Sequence, residues 1–208
     1  MVQTEVKTGA PVQTGSRVRT PRRAEMVRVA ARLFSERGYH GTSMRHLGDA
    51  LGLLRGSLYA HIGAKEELLF DVVDEGADRF LQRGQTAAEL EAPAATRLRE
   101  LLVGHVETAI EQLDAATVFL NEWHYLSDEL RATIQAKRDR YESLVRDIIA
   151  DGIRRGEFRS DADVRLAAIL VLSAGNWVYA WYRAGGELTP TEIGEAFADM
   201  LIAGLEGR

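Results

Sequence analysis

Residues 42–65 of the chain read TSMRHLGDALGLLRGSLYAHIGAK, and this segment joins two short helical patterns through a glycine. Thr42 and Ser43 offer N-cap hydroxyls to the first helix. Its apolar residues recur at helical spacing, at Met44, Leu47, Ala50 and Leu51. Gly52 is placed to end this helix in the left-handed conformation, and a second helix is predicted over residues 55–62. The segment therefore predicts a helix-turn-helix.

The second helix has an apolar face and a polar face. Leu58 and Ile62 are four residues apart and are expected to face the core. The outward side chains are those of Arg55, Ser57, Tyr59 and His61. These side chains can donate to phosphate oxygens and base edges, and Gly56 lets the backbone approach DNA closely at a cost of about 1 kcal/mol in helix propensity. Periodicity alone leaves open that the two helices merely pack within an all-helical domain.

A longer run, residues 28–69, resembles the N-terminal domain of TetR-family transcriptional regulators. The elements that stand at the family's spacing are Gly38-Tyr39, Gly41-Thr42-Ser43, Leu51-Gly52, Gly56-Ser57-Leu58-Tyr59 and Lys65-Glu66-Glu67-Leu68. Two positions depart from the family pattern, because Leu54 and Ala64 stand where Ser or Thr usually caps the following helix. Those two helix starts must therefore be satisfied by other groups.

The predicted DNA-binding residues fall into two groups. Thr42, Tyr59 and Lys65 are expected to hold phosphates, Lys65 with the help of backbone N–H groups at a helix start. Residues expected nearer the bases are Arg55, Ser57 and His61, and the set is completed by Arg45 and Gly56.

Composition points to a soluble, helix-rich globular protein of the all-α class. The 208 residues are 46% hydrophobic and 27% charged, and they include four prolines and no cysteine. The lack of cysteine excludes disulfides and thiolate metal sites. The five histidines, at positions 40, 46, 61, 105 and 124, show no metal-ligand spacing, so no metal or cofactor is expected, and His105 and His124 are predicted to be hydrogen-bonded body residues. No apolar run approaches eighteen residues and no signal segment is evident, which predicts a cytoplasmic protein without membrane association.

Charge is unevenly distributed along the chain. Residues 1–61 hold ten Lys and Arg against four Asp and Glu, a net charge of +6, whereas the remainder holds sixteen against twenty-seven, a net charge of −11. A basic N-terminal third on an acidic body concentrates attraction for DNA at one end of the molecule.

Three regions are predicted: a disordered basic leader over residues 1–19, a DNA-binding head over 20–66, and a ligand-binding and dimerisation body over 67–208. The leader arginines and their neighbours, at positions 17, 19, 22 and 23, would form either a DNA-contacting arm or a solvated tail. About nine helices are expected. Those after the head are predicted over 65–82, 95–113, 115–125 and 127–155, with residues 84–95 as a connection.

The last two helices are predicted to form a dimer interface. The eighth would be opened by Ser160 and Asp163, and the ninth by Thr189-Pro190-Thr191-Glu192. The eighth is apolar on two sides. One stripe comprises Val164, Ala168, Val171, Gly175 and Val178, and the other Leu166, Leu170, Ser173, Trp177 and Trp181. The ninth contributes Ile193, Phe197, Met200, Leu201, Gly204 and Leu205 to the same surface. A second copy packed there would make a four-helix bundle, and a dimer would read a palindromic site.

Aromatic residues of the body suggest a small-molecule cavity. Large apolar walls with a few polar groups are typical of such sites. The predicted ligand-binding residues are Phe119, Glu122, Trp123, Asn176 and Trp177. The alternative is that these residues are ordinary core and interface residues.

Residues 118–127, 176–197 and 201–205 resemble the body of a TetR subgroup that includes repressors of fatty-acid and sterol-ring breakdown. That resemblance implies acyl-CoA thioesters as effectors. The predicted function is a ligand-responsive repressor that binds double-stranded operator DNA as a homodimer. Sensing of a different amphipathic molecule, or an effector-free DNA-binding dimer, remains as an alternative. An enzyme is disfavoured, because no GxSxG, HExxH or phosphate-binding glycine loop is present.

Overall fold

The computed structural model describes residues 21–207, which fold into helices with no strand among them. The predicted leader, including Arg17 and Arg19, lies outside the described residues. The helices of the head are α1 (Pro21–Gly41), α2 (Met44–Leu51) and α3 (Arg55–His61). Those of the body are α4 (Lys65–Ala88), α5 (Ala94–Glu111), α6 (Leu113–Asn121), α7 (Asp128–Arg154), α8 (Val164–Asn176), α9 (Val178–Trp181) and α10 (Pro190–Glu206). The all-α class is confirmed.

Several helix ends lie where the sequence predicts them. Gly38 has a φ of 72°, so the straight part of α1 ends there. Gly52 adopts the left-handed conformation after α2, with a φ of 64°. The Thr189–Glu192 capping box opens α10, because the Thr189 hydroxyl accepts from the Glu192 N–H while the Glu192 carboxylate accepts from the Thr189 N–H. Ser43 caps α2 in the same reciprocal way, with the His46 ring as its partner.

Helix α4 is longer than predicted, because Gly84 lies inside it. A Cβ at Gly84 would lie 2.6 Å from the Tyr141 ring, so this glycine permits close packing of α4 against α7 instead of ending the helix. The helix continues to Ala88 and packs along α1, α5, α6 and α7. It therefore connects the head to the centre of the body.

Two other boundaries differ from the prediction. Helix α6 stops at Asn121 and is followed by a short 3₁₀ turn, Trp123–Tyr125, in place of the predicted continuous helix. Helix α8 is capped by Asp163, whose carboxylate accepts from the Leu166 N–H at 2.9 Å, so the predicted pairing of Ser160 with Asp163 does not open it.

The eighteen residues Val164–Trp181 are long and apolar enough to cross a membrane by composition, with a mean hydropathy of 1.3. The stretch is not an uninterrupted apolar run, because Arg165, Ser173 and Asn176 lie within it, so the expectation about apolar runs is not contradicted. One side of the stretch is core: Ala168, Val171, Gly175 and Val178 are buried, as the first predicted stripe requires. Apolar composition here comes from a helix with two apolar faces.

Candidate nucleic-acid interface and effector cavity

The turn between α2 and α3 is held by backbone and core contacts. The N–H of Leu53 donates to the Gly48 carbonyl at 2.9 Å, and a Cβ at Gly48 would lie only 3.1 Å from the Leu53 carbonyl. Leu58 and Ile62 are buried under α3, as predicted. The two helices therefore sit in one fixed arrangement and leave the opposite side of α3 at the surface.

Most of the predicted DNA-binding residues lie on this surface. Those exposed to solvent are Arg45, Gly56, Ser57, Tyr59 and His61, and Arg55 is the first residue of α3. Leu54 precedes them and is 84% exposed. Helix α3 has no side-chain cap at Leu54, and α4 has none at Ala64, in agreement with the two departures noted in the sequence. The N–H groups at both helix starts therefore make no hydrogen bond to a side chain at the cap position.

Thr42 does not occupy the position expected for a phosphate contact. It is 1% exposed, and its hydroxyl lies 3.0 Å from the carbonyls of Leu33 and Gly38. Its hydrogen bonds to these carbonyls connect the end of α1 to the start of α2. Its burial argues against the predicted DNA contact.

Lys65 is partly committed in the same way. Its ammonium donates to the carbonyls of Tyr39 and Thr42 at 2.6 and 2.7 Å and lies 4.0 Å from the centre of the Tyr39 ring. Desolvation by burial lowers the pKa of Lys65. An ammonium has three protons, so one remains for a phosphate after these two bonds. Lys65 thus positions the α1–α2 connection and still presents charge at the surface.

Arg23 is also internal, so it belongs neither to a DNA-contacting arm nor to a solvated tail, the two alternatives that the sequence left open. Its Nε donates to the Asp71 carboxylate at 2.6 Å, and its Nη1 donates to the His61 carbonyl at 3.0 Å. This side chain joins α1 to the end of α3 and to α4. Arg22 pairs with Glu25 along α1.

A cavity of about 230 Å³ lies in the body between α4, α5, α6, α7 and α8. Its wall combines aromatic, aliphatic and polar side chains. They are Ala77, Phe80, His105, Phe119, Trp123, Gln135, Lys137, Arg138, Asp139, Tyr141, Glu142, Leu172 and Asn176. The cavity is partly open to solvent, and polar groups contribute almost as much of its surface as apolar ones, a mixture that suits a small amphipathic ligand.

Arg138 forms a cationic part of this wall. Its guanidinium lies 5.0 Å from the centre of the Phe119 ring and 4.9 Å from that of Trp123. Burial lowers its pKa, and its Nη1 makes no hydrogen bond to any described residue. Lys137, by contrast, is bound to the carboxylates of Asp74 and Asp78 at 2.6 and 2.5 Å. Arg138 is therefore the cation best placed to receive an acceptor group of a ligand.

A buried polar pair lies deeper in the wall. His105 is 4% exposed, and its Nδ1 lies 3.0 Å from the Tyr141 hydroxyl. Burial lowers the pKa of His105 to about 4, an effect that its interaction with Asn176 only partly opposes. Burial also raises the pKa of Tyr141. Both groups are consequently neutral at physiological pH.

The cavity wall continues into the contact between body and head. Glu122 lies beside Trp123, and its carboxylate accepts from the Tyr39 N–H at 2.8 Å. Tyr125, at the other end of the 3₁₀ turn, stacks on the Tyr39 ring at a centroid distance of 5.8 Å. Glu66 at the start of α4 accepts from the N–H of Ser127 at 2.6 Å. One short turn thus connects the cavity to the end of α1.

Two family profiles match the chain. The one described as "Tetracyclin repressor-like, C-terminal domain" matches residues 91–205, and "Bacterial regulatory proteins, tetR family" matches residues 27–72. The chain belongs to the TetR family. It is a ligand-responsive transcriptional regulator and not an enzyme, as the sequence predicts.

Relatives within the TetR family support the subgroup suggested by the body sequence. The chain is 29% identical over 186 residues to the HTH-type transcriptional repressor KstR2 of Mycobacterium tuberculosis, covering 88% of this chain and 92% of the repressor. It is similar to the structure of the TetR-family regulator PfmR from Thermus thermophilus, at 34% identity and a TM-score of 0.81, covering 89% and 97% of the two chains. It is also similar to AibR in complex with isovaleryl coenzyme A and operator DNA, at 29% identity and a TM-score of 0.77, covering 88% and 97%.

Three of the five predicted ligand-binding residues line the cavity of this TetR-family chain: Phe119, Trp123 and Asn176. Glu122 does not, because its carboxylate is turned toward Tyr39 of the head. Trp177 does not either, because it is 62% exposed at the α8–α9 junction, where it lines a second, more open hollow with Asn176 and Tyr179. Neither Glu122 nor Trp177 lines the first cavity, and a ligand-binding role for Trp177 stays a prediction.

Sequence reasoning missed the polar residues that α5 and α7 contribute. His105 is a buried, hydrogen-bonded residue of the body, as predicted, because its Nδ1 lies 3.0 Å from the Tyr141 hydroxyl. The glycine at position 175 could have indicated from the sequence that another side chain packs closely against α8, because a Cβ there would lie 2.5 Å from His105 Cδ2. A glycine within the inward stripe of an apolar helix indicates a close approach by another group.

The outer face of α8, α9 and α10 is apolar and exposed. Its large side chains are Leu166, Ile169, Leu170, Trp177, Trp181 and Met200, each at least 42% exposed. We call these residues the apolar face. The predicted second stripe of α8 is therefore correct. The prediction for α10 is correct for Met200 and wrong for Ile193 and Leu205, which are buried on its inner side.

Proposed function

We propose that this TetR-family regulator is a repressor that binds a palindromic operator as a homodimer and is released by an acyl-CoA thioester. The proposal rests on the contact between the cavity and the head. Trp123 lines the cavity, and the carboxylate of the adjacent Glu122 accepts a hydrogen bond from the Tyr39 N–H. A ligand that moves Trp123 would also move the end of α1. Release requires that the effector bind the non-operator conformation more tightly than the operator-binding one.

The exposed residues of α3 supply the DNA contacts in this proposal. Ser57 and His61 face the bases with Arg55, while Tyr59, Arg45 and Lys65 contact phosphates, and Gly56 allows close approach. The N–H groups at the uncapped starts of α3 and α4 add phosphate contacts. Thr42 positions the turn from inside.

A second copy of the chain is the proposed occupant of the apolar face. Monomeric proteins rarely expose a contiguous patch containing two tryptophans and three branched aliphatic residues. The patch lies on the last helices of the body, so pairing there leaves both heads free. Two α3 helices about 34–36 Å apart would match successive major grooves, which implies a palindromic operator.

The size of the cavity limits how a thioester would bind. At about 230 Å³ it is smaller than the roughly 300–1,000 Å³ usual for drug-sized ligands, so it would hold the acyl group while the nucleotide lies outside. The relative AibR, whose structure holds isovaleryl coenzyme A, supports a short acyl group. Cytoplasmic location is part of the same proposal, because operator DNA and thioesters meet there.

The test is a gel shift with the DNA flanking the protein's own gene, with and without short-chain, long-chain and sterol-derived acyl-CoA thioesters. We expect tight binding that one thioester class abolishes. Free coenzyme A and the corresponding free acids are the matched controls. Release by the acids alone would overturn the thioester assignment, and binding that no compound alters would overturn the ligand response. Failure to bind any flanking DNA would overturn the proposal that the operator lies beside the protein's own gene.

A further inference from the structure

The cavity has a polar mouth and an aromatic closed end. At the mouth, α7 contributes the exposed side chains of Gln135 and Asp139. At the closed end lie Phe80 and Phe119, which are 5% and 8% exposed. A chain-like ligand that enters from solvent therefore meets polar side chains first and aromatic rings last. The residues of the closed end limit how far it can enter.

Phe80 occupies the centre of the closed end. Its ring centre lies 4.7 Å from that of His105, 5.6 Å from that of Phe119 and 6.1 Å from that of Tyr141. These distances are within the range of direct aromatic contact. Phe80 is therefore held by rings from α5, α6 and α7, and it cannot turn aside without displacing one of them.

The two neighbouring turns of α4 differ in the space that they leave beside Phe80. Ala77, one turn earlier, also lines the cavity, and its small side chain occupies little of it. Gly84, one turn later, lies so close to α7 that a Cβ there would be 2.6 Å from the Tyr141 ring and 3.4 Å from a methyl carbon of Leu144. A ligand therefore cannot pass beyond Phe80 along α4, and the Phe80 side chain sets the depth of the cavity.

The volume of the cavity indicates which acyl groups fit in front of Phe80. An apolar cavity of about 150 Å³ is large enough to bind benzene. The cavity of this protein, at about 230 Å³, includes the polar mouth, so its apolar part has room for a short chain or a single ring. A fused ring system would have to displace Phe80.

We propose that Phe80 is the specificity-determining residue of the cavity and restricts the effector to a short acyl chain or a single ring. This inference rests on the proposed effector cavity and narrows its ligands from acyl groups in general to small ones. A smaller side chain at position 80 should admit longer chains, and a larger side chain at position 77 should exclude them.

The test compares two straight-chain series, the acyl-CoA thioesters from propanoyl to decanoyl and the primary alcohols from propanol to decanol. The alcohols lack both nucleotide and thioester, so they probe the apolar end by itself. Binding to the full-length protein is measured by calorimetry. Affinity should rise about fourfold with each buried methylene until the chain reaches Phe80, and then level off or fall. A rise that continues unbroken to ten carbons would overturn the proposal.

Three variants locate this length limit. Phe80→Leu should extend the rise by about two carbons, because methylenes of the ligand replace part of the ring. Ala77→Val adds two methyl groups to the wall and should end the rise about one carbon earlier. Phe158→Leu makes the same change as Phe80→Leu at a buried position outside the cavity, so it should keep the wild-type limit.

The variants also decide against the proposal where it is wrong. A limit that is the same in Phe80→Leu, Ala77→Val and the wild type would make Phe80 a packing residue only. A limit that Phe158→Leu shifts as far as Phe80→Leu would show a general loosening of the body instead of a local boundary. Should Phe80→Leu not fold, Ala77→Val decides by itself, because it removes no packing atoms.

The outcome is distinguishable from that of the proposed function. The same preparations are assayed for operator binding and for release by the thioesters. A limit in the alcohol series that depends on Phe80, without release by any thioester, would keep this inference and overturn the thioester assignment. Release by thioesters whose preferred length is equal in all variants would overturn the role of Phe80 alone. Absence of binding by both series at millimolar concentration would overturn both.

Discussion

The Tyr39 N–H, at the end of α1, donates a 2.8 Å hydrogen bond to the Glu122 carboxylate at the end of α6. The two residues are 83 positions apart in sequence, and Gly38, with its positive φ, turns the chain so that this N–H faces the body. Glu122 is also the residue before Trp123 of the cavity wall. The contact therefore connects the cavity wall to the head through one hydrogen bond and one peptide bond.

Glu122→Ala is expected to weaken the coupling between effector and operator. Removal of the carboxylate frees the end of α1 from the cavity wall, and typical coupling free energies of about 1–3 kcal/mol correspond to 5–150-fold changes in affinity. The effector-induced loss of operator affinity should therefore shrink several-fold in gel shifts. Glu122→Gln retains an oxygen acceptor and should respond almost normally. Weakened effector binding in Glu122→Ala, measured by intrinsic tryptophan fluorescence, would instead assign the carboxylate to the cavity.

The Glu122 contact shows what the sequence could and could not predict. The elements of the head, the two stripes of α8 and the capping box at Thr189 follow from local rules, namely periodicity and capping, and these predictions were correct. The orientation of Glu122 and the partners of His105 depend on the packing of α6, α5 and α7 across long sequence separations. Periodicity places a residue on a face, but it does not tell which neighbouring helix that face meets.

Lys65 and Arg55 should differ in their effects on DNA binding. Loss of a phosphate contact weakens binding to all sequences and lowers the salt dependence by about one charge, whereas loss of a base contact relaxes preference at one position. Lys65→Met retains most of the aliphatic stem but removes the ammonium that lies over the Tyr39 ring, and it should show the first behaviour. Arg55→Ala should show the second. Salt titrations on specific and scrambled DNA separate the two, and identical behaviour of both variants would contradict the assignment.

Leu54 should contact a thymine methyl group in the operator. Its side chain is 84% exposed at the start of α3, beside the residues assigned to the bases, and apolar side chains read thymine methyl groups in the major groove. Replacing single thymines by deoxyuridine should weaken binding a few-fold at one position of each half-site. Leu54→Ser should remove that penalty. A penalty that persists in Leu54→Ser would mean that another side chain contacts the methyl group.

Leu170→Glu should convert the proposed dimer into monomers. The side chain is 57% exposed at the centre of the apolar face, so a carboxylate there would be buried without a partner when two copies pair. Sedimentation should show a monomer at micromolar concentration, with operator affinity at least tenfold weaker because the two heads are no longer linked. Leu90→Glu places the same charge at an exposed leucine between α4 and α5 and serves as the control. If Leu170→Glu stays dimeric, the interface lies elsewhere.

His105 should make the protein less stable as the pH falls from about 6.5 toward 4. Burial lowers its pKa from 6.5 to about 4 in the folded state. Between these two pH values the imidazole is protonated in the unfolded chain and neutral in the folded chain. Stability therefore rises with pH across the interval and is constant for this group above it. Between pH 7 and pH 5 the free energy of unfolding should drop by about 2 kcal/mol per protomer from this residue.

The comparison with His105→Gln isolates this contribution, because the acidic groups that titrate near pH 4 are common to both proteins. Asp151 and Glu192 have pKa values lowered by hydrogen bonds to Arg97 and Thr189, so their contributions are lost only at lower pH. Urea unfolding at pH 7 and pH 5 should give a smaller drop for the variant than for the wild type. Equal drops would show that His105 accepts its proton in the folded state, and that the cavity wall around it is more hydrated than its burial indicates.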